Sequence, residues 1–213
     1  MGLMGEYVMV LYIRELDYHK DADELASFAL EGMNFSRYTK LRFAQKLYSR
    51  YFVREGILNA TLSLGAYTEE GQLTGALLAR FNGEQPVYRN FFWRCYVWLF
   101  ELVLSLFFGS RTDEYDTNNR KMLQDVTQSK TFDGELSLFA VDPKQKGQGV
   151  GTALLSAFQT RKSGKQIYLF TDSNCTYQFY QHRGFEQASS VDIHEPGQST
   201  DQKLSCFVFT RTL

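Results

Sequence analysis

The sequence contains few of the residues that build metal sites or disulfide frameworks. Only three cysteines and three histidines occur among its 213 residues. Cys95, Cys175 and Cys206 are too far apart to resemble a metal-binding motif or a disulfide framework. We therefore expect no metal, and we expect a protein of the reducing cytoplasm, where unpaired cysteines persist.

An excess of one charge is also lacking. The formal net charge is −1, and the lysines and arginines are scattered along the chain. Proteins that bind nucleic acid normally carry a basic face, so we expect no nucleic-acid partner. Apolar residues make up 44% and charged residues 22% of the chain, which is typical of a globular protein. This length predicts a single domain over 1–213.

Hydrophobic periodicity and turn residues predict the element order βααββ, a helical insertion over about 85–130, and then βαβαββ. Hairpins are combined with one crossover unit, so we expect a mixed sheet with helices on both faces. Asp21 and Glu24 resemble a capping box that opens the first helix, and the second helix is predicted over 41–53. Asn174 is the predicted N-cap of a short helix that ends at Gly184.

Residues 87–109 form an aromatic-rich helix candidate with two interpretations. The stretch is long enough to span a membrane, but Arg89, Arg94 and Glu101 interrupt it, and central charges cost roughly 2.5–3.5 kcal/mol each. A helical wheel instead collects Asn90, Arg94, Glu101 and Ser105 into a narrow polar stripe. We therefore predict no membrane span. We expect a mostly buried helix that packs in the core, against the second subunit of a homodimer, or over the acceptor pocket. Residues 111–130 are predicted to be a loop or a short exposed helix.

The most informative stretch follows the predicted strand 135–141. A turn with Pro143 leads to Gly147, Gly149 and Gly151, which open the next helix. Glycine lets a ligand approach the backbone closely, and successive N–H groups at a helix N-terminus attract anions. These residues predict a ligand that carries phosphate.

Several kinds of glycine-rich loop could account for this spacing of glycines. A Walker loop would need Gly-Lys-Ser/Thr, which is absent here. A dinucleotide fingerprint would need a glycine where Thr152 stands, although Asp172 lies at a suitable distance for a ribose contact. An ordinary glycine-rich turn is the remaining alternative.

The stretch Lys146–Gly151 resembles the coenzyme A loop of the GNAT (general N-acetyltransferase) superfamily, Gln/Arg-x-x-Gly-x-Gly/Ala. It fits at every position except the first, where Lys146 replaces Gln or Arg. The resemblance continues through Asn174 and through Phe179-Tyr180-Gln181-His182-Arg183-Gly184-Phe185, and the matching region is 135–185. It implies a GNAT-like α+β fold of three layers, with a mixed, partly antiparallel sheet of about six to seven strands and helices on both faces.

The resemblance also implies an activity and a cofactor site. The protein would transfer an acetyl group from acetyl-coenzyme A to a primary amine, which attacks the thioester directly. Pantetheine would pair with the backbone of one strand and the pyrophosphate would lie on loop amides, with Asn174 as a further contact. The implied cofactor-binding residues are Phe139, Ala140, Val141, Lys146, Gly147, Gln148, Gly149, Val150, Gly151, Thr152 and Asn174.

Two catalytic residues are implied in the same way. Tyr180 would protonate the departing thiolate, and Glu135 would act as the base through water. For each residue the alternative is structural, since Tyr180 would otherwise pack its ring and Glu135 would be an exposed carboxylate at a strand end. Likewise, Asn174 would be only a helix cap. The acceptor amine is not identified, but the segments implied to face it are 34–38 and 195–203. A non-catalytic acyl-coenzyme A sensor on the same fold is the alternative function.

Overall fold

A computed structural model describes residues 10–33, 35, 41–108, 114–194 and 203–213. The element order agrees with the predicted one. A short 3-10 helix, Pro143–Gln145, precedes the helix that follows the glycine loop. The strands and helices are β1 (Tyr12–Arg14), α1 (Tyr18–Gly32), α2 (Arg42–Asn59), β2 (Leu62–Tyr67), β3 (Leu73–Phe81), α3 (Phe91–Phe108), α4 (Glu114–Thr127), β4 (Gly134–Val141), α5 (Val150–Arg161), β5 (Gln166–Asp172), α6 (Gln178–His182), β6 (Glu186–His194) and β7 (Lys203–Thr212).

The strands form one seven-stranded sheet in the order β1-β2-β3-β4-β5-β7-β6. Neighbouring strands are antiparallel, except for β4 and β5, which are parallel. The single parallel pair is the crossover unit β4-α5-β5 that the sequence predicts. The mixed, partly antiparallel sheet with helices on both faces is therefore confirmed.

Two cores form on opposite faces of the sheet. On one face, α1 and α2 cover β3 and β4 through residues such as Leu25, Ile57 and Leu138. On the other face, α5 and α6 cover the sheet, with Leu154 and Phe158 fully buried. Successive side chains of a strand point to opposite faces of the sheet. A strand can therefore contribute side chains to both cores.

The start of α1 differs from the prediction. Asp17 is the N-cap, and its side chain accepts a hydrogen bond from the Lys20 N–H. Asp21 lies inside the first turn, where it is fully buried and accepts a hydrogen bond of 2.5 Å from the Tyr67 hydroxyl. The predicted capping box at Asp21 and Glu24 is therefore wrong, because Asp21 is used by the core and Asp17 performs the capping.

The aromatic segment is not buried in the core of this chain, and its burial against a second subunit stays a prediction. Helix α3 packs on α2, where Tyr51 stacks on Phe100 with ring centroids 4.6 Å apart. Val97 is buried in this contact. Much of the remaining surface of the helix is exposed and apolar, and comprises Phe91, Phe92, Trp98, Leu99, Leu102, Val103 and Leu106. The helical wheel correctly finds few polar positions but assigns them to the wrong side, because Arg94 and Glu101 lie at the junction with α2.

Within the ranges that the structure describes, no helix has the length and apolar character needed to cross a bilayer. The predicted loop after α3 is also corrected, since residues 114–127 form the 14-residue helix α4. Its Met122 packs on Ile193 and Cys206 of the sheet edge. This helix therefore belongs to the same layer as α1 and α2.

Two leucines on different helices test the burial pattern. We expect Leu154→Ala to lower the free energy of unfolding by about 2–5 kcal/mol, because it leaves a cavity in the core. The matched change Leu106→Ala removes the same atoms from a side chain that is 73% exposed, and it should change stability by no more than about 0.5 kcal/mol. Urea denaturation of both variants measures the difference, and equal effects would contradict the described core.

Candidate functional site

The glycine loop joins the end of β4 to the start of α5. Asp142 begins it by accepting a hydrogen bond of 3.0 Å from the Lys144 N–H through its side chain. Gly147 and Gly149 follow with φ angles of +85° and +81°, a conformation that side-chain-bearing residues rarely adopt. Gly149 is the N-cap of α5, so the loop turns sharply into the helix.

The loop leaves space for a ligand next to its backbone. A Cβ atom added at Gly147 or Gly149 would have no protein atom within 4 Å. The first N–H groups of a helix have no partner inside that helix, and here they belong to Val150, Gly151 and Thr152. A pocket of backbone N–H groups that faces open space can bind an anion such as a phosphate.

Two predicted amides of the loop are already engaged. The Gln148 N–H donates to the Gln145 carbonyl at 3.2 Å, and the Lys146 N–H donates to the Pro143 carbonyl at 3.3 Å. These hydrogen bonds shape the turn, so the backbone of Lys146 and Gln148 contributes less to anion binding than that of the glycines. The exposed ammonium group of Lys146 still adds a positive charge to the entrance of the loop.

Strands β4 and β5 diverge next to this loop. They pair only at Gly134 with Ile167 and at Glu135 with Tyr168, although both strands continue for several residues. The backbone of Phe139–Val141 therefore borders a cleft on the β5 side. A strand edge of this kind offers N–H and C=O groups to an extended ligand, as the resemblance implies for pantetheine.

Tyr180 lies in an aromatic cluster beside this cleft. Its ring centroid is 5.5 Å from that of Phe185, 5.6 Å from Phe179, 6.2 Å from Phe209 and 6.3 Å from Phe139. Burial among these rings raises the pKa of the Tyr180 hydroxyl above its ordinary value. The hydroxyl is protonated at neutral pH, as an unperturbed phenol with a pKa near 10 also is.

Glu135 lies on the other face of the sheet, opposite Arg80 on β3. Its carboxylate accepts a hydrogen bond of 2.9 Å from the Arg80 guanidinium and one of 3.4 Å from the Tyr168 hydroxyl. Burial, assisted by the charge of Glu135, raises the pKa of Tyr168 to about 12. Glu135 is thus an oriented, half-buried carboxylate rather than the fully exposed strand-end group that was the alternative.

The two predicted catalytic residues approach the cleft from opposite faces of the sheet. Tyr180 packs in the core under α5 and α6, whereas Glu135 borders a cavity under α2. The side chains of Tyr180 and Glu135 therefore do not contact each other directly. A molecule that lies between β4 and β5 would have the carboxylate on one side and the phenol on the other.

Asn174 does not cap a helix. Helix α6 begins at Gln178, and its N-cap is Tyr177. Asn174 lies in an exposed turn after β5, where its N–H donates to the Asp172 side chain at 2.9 Å. The predicted end of the helix is correct, since Gly184 has a φ of +76° and Phe185 is buried behind it.

Sequence reasoning missed two arginines. The Arg183 guanidinium donates to the Thr152 hydroxyl at 2.5 Å, which brings a positive charge to the N-terminus of α5. Arg80 orients Glu135. The signal for Arg183 was its place in the Phe-Tyr-Gln-His-Arg-Gly-Phe motif, but nothing in the sequence links Arg80 to Glu135 except alternation on neighbouring strands.

The described residues contain no group of three metal-ligating side chains that could hold a metal ion. Most of the two segments implied to face the acceptor, 34–38 and 195–203, lies outside the described residues. The described part of the site is therefore the cleft, the loop and the cavity under α2.

The family comparison supports the interpretation of this site. Residues 119–187 match the model of the acetyltransferase (GNAT) domain, a region that includes β4, the glycine loop, α5, β5 and α6. No curated protein sequence is significantly similar to this chain. The match covers about a third of the chain, and the mixed seven-stranded sheet agrees with a GNAT-like fold.

Solved structures share the fold across nearly the whole chain. One is the histone acetyltransferase HPA2 and related acetyltransferase from Corynebacterium glutamicum, with a TM-score of 0.58, 15% identity, and 94% of this chain and 96% of that chain covered. A second is an agmatine N-acetyltransferase mutant, with a TM-score of 0.57, 15% identity and coverages of 95% and 99%. A third is YjaB from Escherichia coli, with a TM-score of 0.51, 13% identity and coverages of 95% and 97%. At these identities the likeness shows a common fold.

Gly149 provides a direct test of the loop. We expect Gly149→Asp to weaken coenzyme A binding at least tenfold, because a like charge about 4 Å from a phosphate costs about 1–4 kcal/mol. Gly83→Asp is the matched control, since Gly83 has a φ of +77° and equally open surroundings. Calorimetry of both folded variants gives the comparison, and unchanged affinity in Gly149→Asp would place the phosphates elsewhere.

Arg183 should contribute to the same site. We expect Arg183→Gln to weaken coenzyme A binding about tenfold, since hydrogen bonds to charged groups contribute about 1.5–3 kcal/mol. Arg161→Gln removes a positive charge from the opposite end of α5 and should leave the affinity unchanged. The same loss in both variants would indicate a general charge effect rather than a contact.

Proposed function

We propose that this protein is an acetyl-coenzyme A-dependent N-acetyltransferase that acetylates a primary amine by direct attack. The observation that carries the proposal is the glycine loop beside the divergence of β4 and β5. The match of residues 119–187 to the acetyltransferase (GNAT) domain supports acetyl transfer as the general activity. The likeness of fold to an agmatine N-acetyltransferase supports nitrogen as the acceptor atom.

The chain provides a suitable site for each part of the co-substrate. The amides of Val150, Gly151 and Thr152, together with the open space at Gly147 and Gly149, suit the pyrophosphate. The strand edge at Phe139–Val141 suits the amide groups of pantetheine. When bound, acetyl-coenzyme A supplies the activated acetyl thioester.

Glu135 is the proposed base. A protonated amine is not a nucleophile, so one proton must leave the amine before or during its attack on the thioester carbonyl. Glu135 borders the cavity under α2 and is held in place by Arg80 and Tyr168. Through a water molecule it would receive the proton, while the new carbon–nitrogen bond replaces the carbon–sulfur bond.

Tyr180 is the proposed acid. The departing sulfur needs a proton, and a phenol, whose unperturbed pKa is near 10, carries one at neutral pH. Its position beside Phe139 puts it at the cleft rather than in the acceptor cavity. The acid and the base thus act from different faces of the sheet, which prevents direct transfer of the proton between them.

An assay for free thiol release tests the function. Purified protein is incubated with acetyl-coenzyme A and a panel of primary amines, and each product is checked by mass spectrometry for the added acetyl group. Amine-dependent thiol release with an acetylated product supports the enzyme. Tight acetyl-coenzyme A binding without turnover on any amine would instead favour the non-catalytic sensor.

Substitution of Tyr180 separates binding from chemistry. We expect Tyr180→Phe to lower kcat about 10²–10⁴-fold, the usual contribution of a positioned general acid, and to leave the acetyl-coenzyme A Kd unchanged. Tyr177→Phe removes a hydroxyl from the same segment, outside the Phe139 cluster, and should have little effect. If kcat of Tyr180→Phe stays within about threefold of wild type, well below that range, Tyr180 is only a packing residue.

A further inference from the structure

Helix α3 forms one wall of a groove that leads to Glu135. Between α2 and α3 lies a cavity of about 340 Å³, lined by Glu55, Arg94 and Glu101 together with apolar side chains. A second cavity of about 200 Å³ lies between α2 and strands β3 and β4, and Glu135 is one of its walls. Glu55 and Asn59 line both cavities, so the two are neighbours along the same face of α2.

The inner cavity reaches the part of β4 where the strand is distorted. Leu78 pairs with Leu138, whereas Ala79 pairs with Leu136. Ser137 is therefore an extra residue in β4 and forms a bulge, and bulges redirect the neighbouring side chains. Ser137 and Leu138 line the inner cavity, next to the cleft proposed for the thioester.

The carboxylates of the groove are not all neutralised by arginine. Glu135 is paired with Arg80 at 2.9 Å. Glu55 instead accepts a hydrogen bond from the Asn59 amide at 2.5 Å, and Glu101 accepts one from the Tyr51 hydroxyl at 3.3 Å. Both of these donors are neutral. Burial raises the pKa of Glu55, and the charges of Glu101 and Glu135 act in the same direction, whereas the Asn59 hydrogen bond and the Arg80 charge oppose the shift.

The outer cavity also has an apolar lining. Leu58, Val97 and Trp98 border it together with Glu55 and Glu101. Arg94 lines the same cavity and would repel a cation from its own end. A ligand that suits this lining has a cationic group for Glu55 and Glu101 and an aliphatic body for the apolar side chains, and a tryptophan ring also attracts cations.

We propose that α3 forms the outer half of the acceptor site and selects a linear aliphatic amine with a second cationic group. This proposal rests on the N-acetyltransferase function proposed above. The reacting amine lies at Glu135 in the inner cavity, and the second ammonium group lies between Glu55 and Glu101. Glu101 is a specificity residue rather than a catalytic one, because it recognises the end of the acceptor that does not react.

Matched pairs of amines test the proposal. Thiol release is measured with 1,4-diaminobutane and 1,6-diaminohexane against 1-aminobutane and 1-aminohexane, which lack the second amine. We expect kcat/KM to be at least about tenfold higher for at least one diamine than for its monoamine, as a charged hydrogen bond provides. Glu101→Gln should raise KM for that diamine about tenfold and leave kcat/KM for the monoamine unchanged.

The control is Glu186→Gln, which removes a carboxylate from the exposed edge strand β6 and should change none of these values. Equal kcat/KM for diamine and monoamine, or an unchanged diamine KM in Glu101→Gln, overturns the assignment of α3 while the acetyltransferase function stands. Turnover confined to other amines overturns it in the same way. Failure to bind acetyl-coenzyme A, measured separately by calorimetry, would overturn the proposed function itself.

Discussion

Parallel pairing between β4 and β5 is limited to Gly134 with Ile167 and Glu135 with Tyr168, and beyond these pairs the strands diverge. A sheet that opens in this way loses backbone hydrogen bonds, so the fold needs packing on both faces to hold the two halves together. The aromatic cluster of Tyr180 bridges Phe139 on β4 and Phe209 on β7. The glycine loop follows β4 directly, so the cleft and the loop lie next to each other.

The parts of the site that sequence reasoning predicts well are those with a local cause. Gly147 and Gly149 are needed for positive φ angles, and Gly184 ends α6 for the same reason. Alternation along β4 and β5 assigns Glu135 and Tyr168 to faces of the sheet. Once the pairing of the two strands is known, the two side chains are seen to lie within reach of each other. The assigned roles of Glu135, Tyr180 and the loop amides remain predictions that binding and kinetic measurements will decide.

The parts that it misses depend on tertiary partners. The start of α1 is shifted from Asp21 to Asp17 because the buried Tyr67 hydroxyl uses Asp21 as an acceptor, and this contact joins residues 46 positions apart. For α3 the periodicity shows where the apolar side chains are but not which of them meets another element. Tyr51 and Phe100 decide that, and their contact turns Glu101 toward α2 and the larger apolar surface outward.

The way α3 is attached has a consequence for local stability. It rests mainly on α2, and the ring contact between Tyr51 and Phe100 and the buried Val97 are central to that attachment. Elements with few buried contacts open at a lower free energy than the core and exchange their amide hydrogens sooner. We therefore expect α3 to open from α2 while the sheet stays intact, and amide exchange in α3 would report this opening separately from global unfolding.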